Sequence, residues 1–556
     1  MNIKQKFKAI NSDTFIEDYL REMGVKNINL YLNPTYDCIE PPENYDNMEE
    51  AKELLKRVMS TSGKIGILVD SDYDGTCSAS LMYNFLNRKD IEVFFHDSKQ
   101  HGLNDNKVFA EICDAKLDLL IIPDAGSNDF EQIKQLSDIG TEVIVLDHHH
   151  SDKYSPYGII INNQLSDMVS NKSATGTMVT WQFCRYINEP RAKDFIDICA
   201  WSIVSDVVDI TTYENRAVIY YGLQNTNNPL LVAMVKEFNN GLNPTQTDLG
   251  WTLLPKINSI IRTDNTDDTK ALFYAMTNPT MTVQWQKGVR AKVEEWNMID
   301  RVIEQCKTSQ KKQADLTKKF VEEIEPKLDA NAKIIIGFAG EELGTGYTGL
   351  VAGKISDKYN KPCLLLRDTG DSYAGSLRSS VDIREILDNN EFVVHATGHE
   401  RAAGIEILKD HFDDFKQFIT TLNLSNDPVH DVLYSFDYNS IPDELFEAIE
   451  FNKGLFGKGL PSPLFHIKPF VINSSDIVMM GNNTTLKIPL GNLSAIKFFC
   501  SKKIREEFLE GQGVDIEVEL IVELSINYWS DTKYNQLLIK DYSVKPAEIK
   551  NWDDLF

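Results

Sequence analysis

Short apolar runs recur between residue 64 and about residue 225: KIGILV, IEVFFH, LDLLIIPDAG, TEVIVLD and GIIINN. Helical patterns such as SASLMYNFLNRK and FEQIKQLSDIG separate them. Near-continuous apolar strands alternating with helices predict a parallel, doubly wound α/β sheet covered on both faces. Upstream, DTFIEDYLREMGV and MEEAKELLKRVM are amphipathic, with Pro34, Pro41 and Pro42 between them, which predicts a helical lead-in over 1–60. The stretch 286–330 has no Gly or Pro between Val289 and Pro326 and interleaves Glu with Lys, the pattern of one long helix linking two lobes.

Alternation resumes from 331 to about 410, with AKIIIGFAG, KPCLLLRD and SYAGSLRSS as strands, GLVAGKISDKY as a helix, and then the glycine-rich ATGHERAAGIEI. After a helical stretch at 410–424, residues 460–545 read as all-β, with HIKPFVI, DIVMMG, TTLKIPL, VDIEVELIVELSIN and NQLLIKDYS as strands and a helix-like SKKIREEFLEG among them. Five strands with that helix suit an OB-type barrel, a fold that often holds single-stranded nucleic acid. The expected divisions are 1–60, 61–285, 286–330, 331–450 and 451–556.

Carboxylates follow the apolar runs. Ile65–Val69 delivers Asp70, Asp72 and Asp74 before Gly75. On a strand, acids at i and i+2 share a side and lie about 7 Å apart, where they repel by a few kcal/mol at an effective dielectric of about 20. A divalent cation reverses that sign, and oxygen ligands so spaced suit Mg²⁺ or Mn²⁺. The bland alternative is a solvated turn, or an Asp capping a helix that starts near Thr76. VIVLDHHHSD is a second such strand, ending in Asp147, His148, His149 and His150, and imidazole beside carboxylate favours Mn²⁺ over Ca²⁺. Asp124 ends LLIIPD. In open parallel sheets ligands collect at the carboxyl ends of strands, so these acids should face one crevice. FIDICAWSIVSDVVDI, 195–210, predicts a buried helix carrying Asp206, either a ligand or a partner in a cap or ion pair; Asp197 and Asp209 suit caps.

Composition sets outer bounds. The chain has 556 residues, 57 basic and 83 acidic side chains (net −26), 42% apolar and 25% charged residues. That length implies several domains. The acidic balance argues mildly against nucleic acid, though a local cleft field matters more than the sum. No long apolar span or secretory leader is present, which predicts a cytoplasmic protein away from membranes. Eight cysteines without CxxC spacing read as reduced core residues.

DSDYDG, LLIIPDAG, VIVLDHHH and SIVSDVVDI, in that order, resemble the motifs of the DHH phosphoesterase superfamily, and GSLRSS with TGHERAAG resembles its DHH-associated domain. Within the superfamily the chain is similar to the RecJ family of single-strand-specific 5′→3′ exonucleases, in YLNPTYD, INSIIR, GLFGKGLPSPLF and INYWSDTKYNQLLIKDY. The resemblance implies two divalent ions, Mn²⁺ or Mg²⁺, held by Asp72, Asp74, Asp124, His148 and Asp206, with Asp124 as bridge and Asp70 as ligand or adjacent acid. It implies that Asp147 orients the neighbouring His148 and that His149 meets the scissile phosphate.

Arg262, Ser376, Arg378, Gly398 and His399 match positions that grip substrate phosphates, although His399 also fits a core histidine. Tyr528, Trp529 and Tyr534 suit base stacking, and Trp529 equally suits turn packing. Where the family carries an arginine before a Gly-Leu step, this chain has SKQHGLND, so Lys99 or His101 takes that place. The resemblance further implies a monomer acting on single-stranded DNA in repair and recombination, with a single-strand-binding protein or a helicase as partner. Its rivals are a phosphodiesterase for oligoribonucleotides or cyclic dinucleotides and an inactive replication scaffold. The barrel disfavours the first and the full set of ligand residues the second.

Overall fold

A computed structural model describes residues 1–547 apart from 98–99, 264, 289–290, 341, 400, 425–428, 482, 510–512 and 530–531. The side chains of His399 and Trp529 also lie outside what is described. Contacts divide the chain into two compact units, Leu30–Leu422 and Met1–Asn29 with the chain from Asn423.

The larger unit opens on the parallel sheet. Strands β1 (Ile65–Val69), β2 (Glu92–Phe95), β3 (Leu119–Pro123), β4 (Glu142–Asp147) and β5 (Ile159–Asn162) lie in the order β2-β1-β3-β4-β5, all paired parallel. β1 and β3 are buried at every position, as their wholly nonpolar sequences IGILV and LLIIP require. One layer of core joins Leu68, Leu120, Ile122, Val143 and Val145 to Val108, Ile112, Ile133 and Leu136 of flanking helices. From β1 the chain turns to β2 on one side and β3 on the other, so the strand order reverses between β1 and β3. That crevice is where such sheets bind ligands.

Helix α1 (Tyr73–Leu86) follows β1, and α2 (Gly176–Ala192) and α3 (Ile196–Ser205) follow β5. The helix predicted over 195–210 stops at Ser205: Asp206 is its C-cap and Val207 is left-handed at φ 53°. Helix α4 spans Leu254–Ile261. The single helix expected over 286–330 also needs correction. Thr282–Gln286 and Val293–Asn297 form an antiparallel hairpin with Trp285 and Trp296 edge to face at 5.2 Å. The long helix α5 runs only over Met298–Ile324, started by Asn297 accepting from the Ile299 N–H. The Glu/Lys pattern was blind to this boundary because TVQWQ and VEEWN carry a strand's alternation within a polar stretch.

Next come β6 (Ile335–Phe338), α6 (Thr345–Tyr359), β7 (Cys363–Asp368), β8 (Ser372–Arg378), β9 (Val393–His399) and β10 (Ala402–Leu408), in a sheet ordered β9-β10-β8-β7-β6. The glycine-rich stretch thus falls on two antiparallel strands, β9 and β10. Gly375 lets β8 lie against β7, since a Cβ there would meet the Leu366 Cα at 2.8 Å.

In the other unit a seven-stranded sheet includes Phe465–Asn473, Val478–Met480, Thr485–Leu490, Leu493–Lys497, Asp515–Trp529 and Thr532–Pro546, with a helix at Lys502–Leu509. The strand at 493–497 was not anticipated. Asn2–Gln5, expected within the helical lead-in, pairs parallel with Val429–Val432. Tyr528 and Tyr534 are exposed, but the ladder pairs Tyr528 with Lys533 and Tyr534 with Asn527. Adjacent ladder pairs face opposite sides, so the two rings do not form one stacking platform. No helix among the described residues is long and apolar enough to cross a membrane.

Candidate metal centre

Five carboxylates and two imidazoles meet at the carboxyl ends of β1, β3 and β4. Three overlapping sets have ligand atoms within 4.8 Å of one another: Asp70, Asp72 and Asp124; Asp74, His148 and Asp206; Asp124, His148 and His149. Asp124 and His148 are each shared by two sets, so the arrangement suits two neighbouring cations bridged through Asp124.

Each side chain is placed by a local cause. Asp72 caps α1, its Oδ1 accepting from the Gly75 N–H at 2.9 Å. Capping leaves the second oxygen of Asp72 available to a cation. Gly75 is obligatory: a Cβ would sit 2.8 Å from the Asp70 Cα. Asp74, one turn into α1, is buried and accepts from the Gly176 N–H (2.8 Å), the Thr177 N–H (3.1 Å) and the Thr177 and Ser202 hydroxyls, both at 2.5 Å. Those donors include the N-terminus of α2, whose positive end favours an anion. Asp124 sits at φ 67°, its N–H donating to the Leu146 carbonyl at 2.7 Å. The left-handed backbone turns the carboxylate into the crevice at the end of β3.

Electrostatics show what this cluster requires. Burial, then the charges of Asp74, Asp72, Asp70 and Asp206, push the Asp124 carboxyl far above its usual range. Burial and then Asp74 and Asp72 raise Asp206 to about 8. Asp124 Oδ1 is buried without a hydrogen-bond partner, 3.3 Å from His148 Nε2. A buried acceptor left orphaned costs about 1–3 kcal/mol, and more when charged. A divalent cation satisfies the oxygen and removes the repulsion together, so the residues present fit a metal centre.

The roles of the histidines differ from the expectation. His148 Nδ1 lies 2.9 Å from the Ala174 carbonyl, which leaves Nε2 for the centre. Asp147 does not orient His148; its Oδ1 takes the Nδ1 of His149 at 2.8 Å, while its Oδ2 accepts from the Ser127 N–H. The Ala174 carbonyl is near His148 only because α2 is folded against the sheet, a contact no sequence spacing announces. Burial works against the His149 proton, yet the bond to Asp147 and its charge raise His149 to about 9. The folded value exceeds the ordinary 6.5, so the stability from this protonated pair is complete below about pH 6.5 and is lost as pH rises through about 9. Asp147→Asn is expected to return the His149 titration, followed by NMR, toward the ordinary histidine range; an unmoved midpoint would show that the carboxylate is not its cause. His150 is 83% exposed in its side chain, away from the centre.

His101 Nδ1 lies 2.7 Å from Asp70 Oδ2, and the Gly102 N–H donates to Oδ1 at 3.1 Å. This histidine therefore reaches the centre through Asp70, whereas Lys99 falls outside the described residues. Arg262 caps the end of α4, and Arg378 ends β8. Burial lowers both guanidinium pKa values, and Arg262 further lowers that of Arg378 by like-charge repulsion. Among the described residues neither has a carboxylate within 4 Å. Two half-buried guanidinium groups without a carboxylate partner, close enough to repel, suit an anion. Gly349 makes room for this, since a Cβ there would meet the Arg378 Cζ at 2.9 Å.

Ser376 and Gly398 line one concavity with Arg378, Arg367 and Thr348. Gly398 has φ 128°, and a Cβ there would be 2.8 Å from the Ala402 carbonyl oxygen. His399 ends the same strand. Three positions were overlooked in the sequence: Gly176, Thr177 and Ser202, which hold Asp74. The only clue was ATGT, a small-residue helix start with Thr175 as its N-cap.

Residues 64–203 match the DHH family, N-terminal domain, and residues 434–541 match the RecJ OB domain. A putative SPbeta prophage-derived single-strand DNA-specific exonuclease of Bacillus subtilis (strain 168) is 27% identical over 561 residues, covering 94% of this chain and 95% of that protein. The single-stranded-DNA-specific exonuclease RecJ of the same organism is 24% identical over 583 residues, covering 99% of this chain and 72% of that protein. The crystal structure of RecJ in complex with Mn²⁺ from Thermus thermophilus has a TM-score of 0.72 at 20% identity, covering 96% of this chain and 76% of that one. Its Mg²⁺ complex gives a TM-score of 0.66 at 18% identity, with 96% and 75% covered. The chain thus carries a DHH-family N-terminal domain over residues 64–203 and a RecJ OB domain over residues 434–541.

Proposed function

We propose that this protein is a metal-dependent 5′→3′ exonuclease of single-stranded DNA, acting in repair or recombination. The observation that carries the reading is the convergence of Asp72, Asp74, Asp124, His148 and Asp206 on one crevice, with Asp70 and His149 beside them. The curated relatives described above are named as exonucleases specific for single-stranded DNA, and two RecJ structures are titled as complexes with Mn²⁺ and Mg²⁺. Those five residues would hold two divalent ions, which would lower the pKa of attacking water and offset charge on the leaving oxygen of a phosphodiester.

The chain's own groups do the placing. Arg262 and Arg378 present planar forks to phosphate oxygens, from a half-buried setting that strengthens charge-assisted hydrogen bonds. Ser376 and the Gly398 backbone, in the concavity beside Arg378, let a second phosphate approach closely. His149 keeps a proton at neutral pH because Asp147 holds Nδ1, and its Nε2–H is left to donate to a phosphoryl oxygen as charge builds there.

The test uses single strands labelled at either end, beside duplex and cyclic dinucleotide, with Mn²⁺ or Mg²⁺. Mononucleotides should leave the 5′ end of single strands only, and EDTA should stop the reaction until excess Mn²⁺ restores it. Release from the 3′ end, equal cleavage of cyclic dinucleotide, or indifference to EDTA would each overturn the proposal.

A further inference from the structure

Ser376, Arg378 and Gly398 account for only part of the concavity they share. Its volume is about 500 Å³, and its lining continues through Gly404 and Thr397 to Arg367. Strands β8, β10 and β9 make the floor. Residues directly opposite in a ladder share a face, so the register sets three rows on one side of the sheet: Arg378–Ala402, Ser376–Gly404–Thr397 and Ala374–Glu406–His395. Neighbouring rows are about 7 Å apart along the strands. Arg367 joins the third row, because β7 pairs it with Ala374 just as it pairs Cys363 with Arg378.

The middle row holds the unexplained residue. Gly404 is exposed in mid-strand, and a Cβ there would meet nothing closer than the Thr397 carbonyl oxygen, at 3.9 Å. Packing therefore does not demand a glycine, which weakens a strand by its backbone freedom and gives it no side chain to pack. Such a glycine marks the close approach of another molecule. It leaves a notch between the side chains of Ser376 and Thr397.

Arg367 stands at the far end. Half-buried, it donates from Nη2 to the Thr348 hydroxyl of α6 at 3.1 Å, which holds the guanidinium at the wall of the concavity. Glu406, across from Ala374, is engaged elsewhere: it accepts from the Ser372 hydroxyl at 2.5 Å and lies 3.7 Å from His395 Nδ1. Cations thus mark both ends of the floor, four residues or about 13 Å apart along β7, with the notch midway. The near end faces the metal centre, since Arg378 is close enough to Arg262 to feel its charge, and Arg262 borders the same cavity as Asp70 and Asp72. A repeat of about 7 Å between positions is one that the phosphates of an extended single strand can follow.

From this spacing we infer that the floor grips three successive phosphates of the strand leading away from the metal centre: Arg378 takes one, the Ser376–Gly404–Thr397 notch the next, and Arg367 the one after. Arg367 thereby makes the enzyme favour strands long enough to reach it over dinucleotides, whatever their bases. The inference rests on the exonuclease reading, and its test separates the two.

Steady-state release of the first nucleotide, with Mn²⁺, is measured on strands from dinucleotide to hexanucleotide, and on hexanucleotides in which a single neutral methylphosphonate linkage is moved stepwise along the chain. In wild type KM should fall with length until the Arg367 position is filled, and then level off. Neutralising the linkage seated there should raise KM by about tenfold with kcat unchanged. Arg367→Gln should raise KM for the unmodified hexanucleotide to the same extent, lose the effect of that one linkage, and keep the dinucleotide KM. It should also flatten the slope of log KM against log salt by about 0.7. Gly404→Ala, whose Cβ has room, should melt no lower than wild type and yet raise KM for the longer strands alone; a lowered Tm with unchanged KM would overturn the notch. A wild-type KM independent of length, or a folded Arg367→Gln protein that still responds to every linkage as wild type does, would overturn the inference while dinucleotide release still reports the exonuclease. No release in any arm would instead remove the exonuclease reading, and this inference with it.

Discussion

Asp124→Asn should abolish single-strand degradation, by about 10³-fold or more, and yet yield a metal-free protein that melts higher than wild type. The loss follows because Asp124 belongs to two of the three ligand sets, and a carboxylate shared by two cations would contribute several kcal/mol of charge stabilisation to each. The gain follows from the same crowding. Without cations Asp124 is buried among Asp74, Asp72, Asp70 and Asp206, and its carboxyl is held far above its ordinary 3.8. A carboxyl whose folded pKa is raised supports the fold below its unfolded pKa and opposes it increasingly as pH rises. The amide removes that opposition, so the Tm advantage of the variant should be several degrees at pH 7 and vanish near pH 4. Adding Mn²⁺ should raise the wild-type Tm well above that of the variant. A variant that degrades DNA normally, or a wild-type melt indifferent to divalent ions, would remove the metal centre from this crevice.

Gly176→Ala is expected to be nearly as damaging, although its side chain would be a single methyl. A Cβ at 176 would lie 2.6 Å from the Asp124 Cα and press on its carboxylate. Asp124 has no room to yield, since its N–H is bonded to Leu146 and its backbone is already left-handed. Relief therefore requires α2 to withdraw, and with it the Gly176 and Thr177 N–H groups that hold Asp74. Overpacking of this kind costs about 1–3 kcal/mol, and a displacement near 1 Å at a catalytic centre costs about 10²-fold in rate. Thermal melts and single-turnover cleavage measure the two effects. Gly250→Ala, where a Cβ meets nothing within 4 Å, serves as the control. Equal melts and rates for Gly176→Ala and the control would refute the clash.

Much of the doubly wound sheet was legible because its physics is local. Strands buried on both faces must be apolar throughout, and a carboxylate at the end of such a strand has few tolerable reasons to be there. Asp70, Asp124 and Asp147 were found that way, and Asp206 because a carboxylate beside so apolar a helix stands out. The hairpin at 282–297 was lost for the opposite reason: an exposed two-stranded element buries little, so its pattern differs little from that of a polar helix. The Asn2–Gln5 strand was invisible because its partner lies more than four hundred residues away, and pairing at such separation leaves no local periodicity. The assignment of Asp147 to His148 failed by one residue, since adjacent side chains leave a strand end in different directions.

The sequence by itself determined the alternation of strands and helices in the doubly wound sheet, the acids and histidines that end its strands, and the absence of any long apolar span. Tertiary structure decided which imidazole each neighbour holds and how α2 brings two backbone N–H groups to Asp74. The division has one physical cause. Burial and periodicity act on each residue through its near neighbours in the chain, whereas hydrogen bonds and repulsions across a crevice depend on distances that exist only once remote segments have packed.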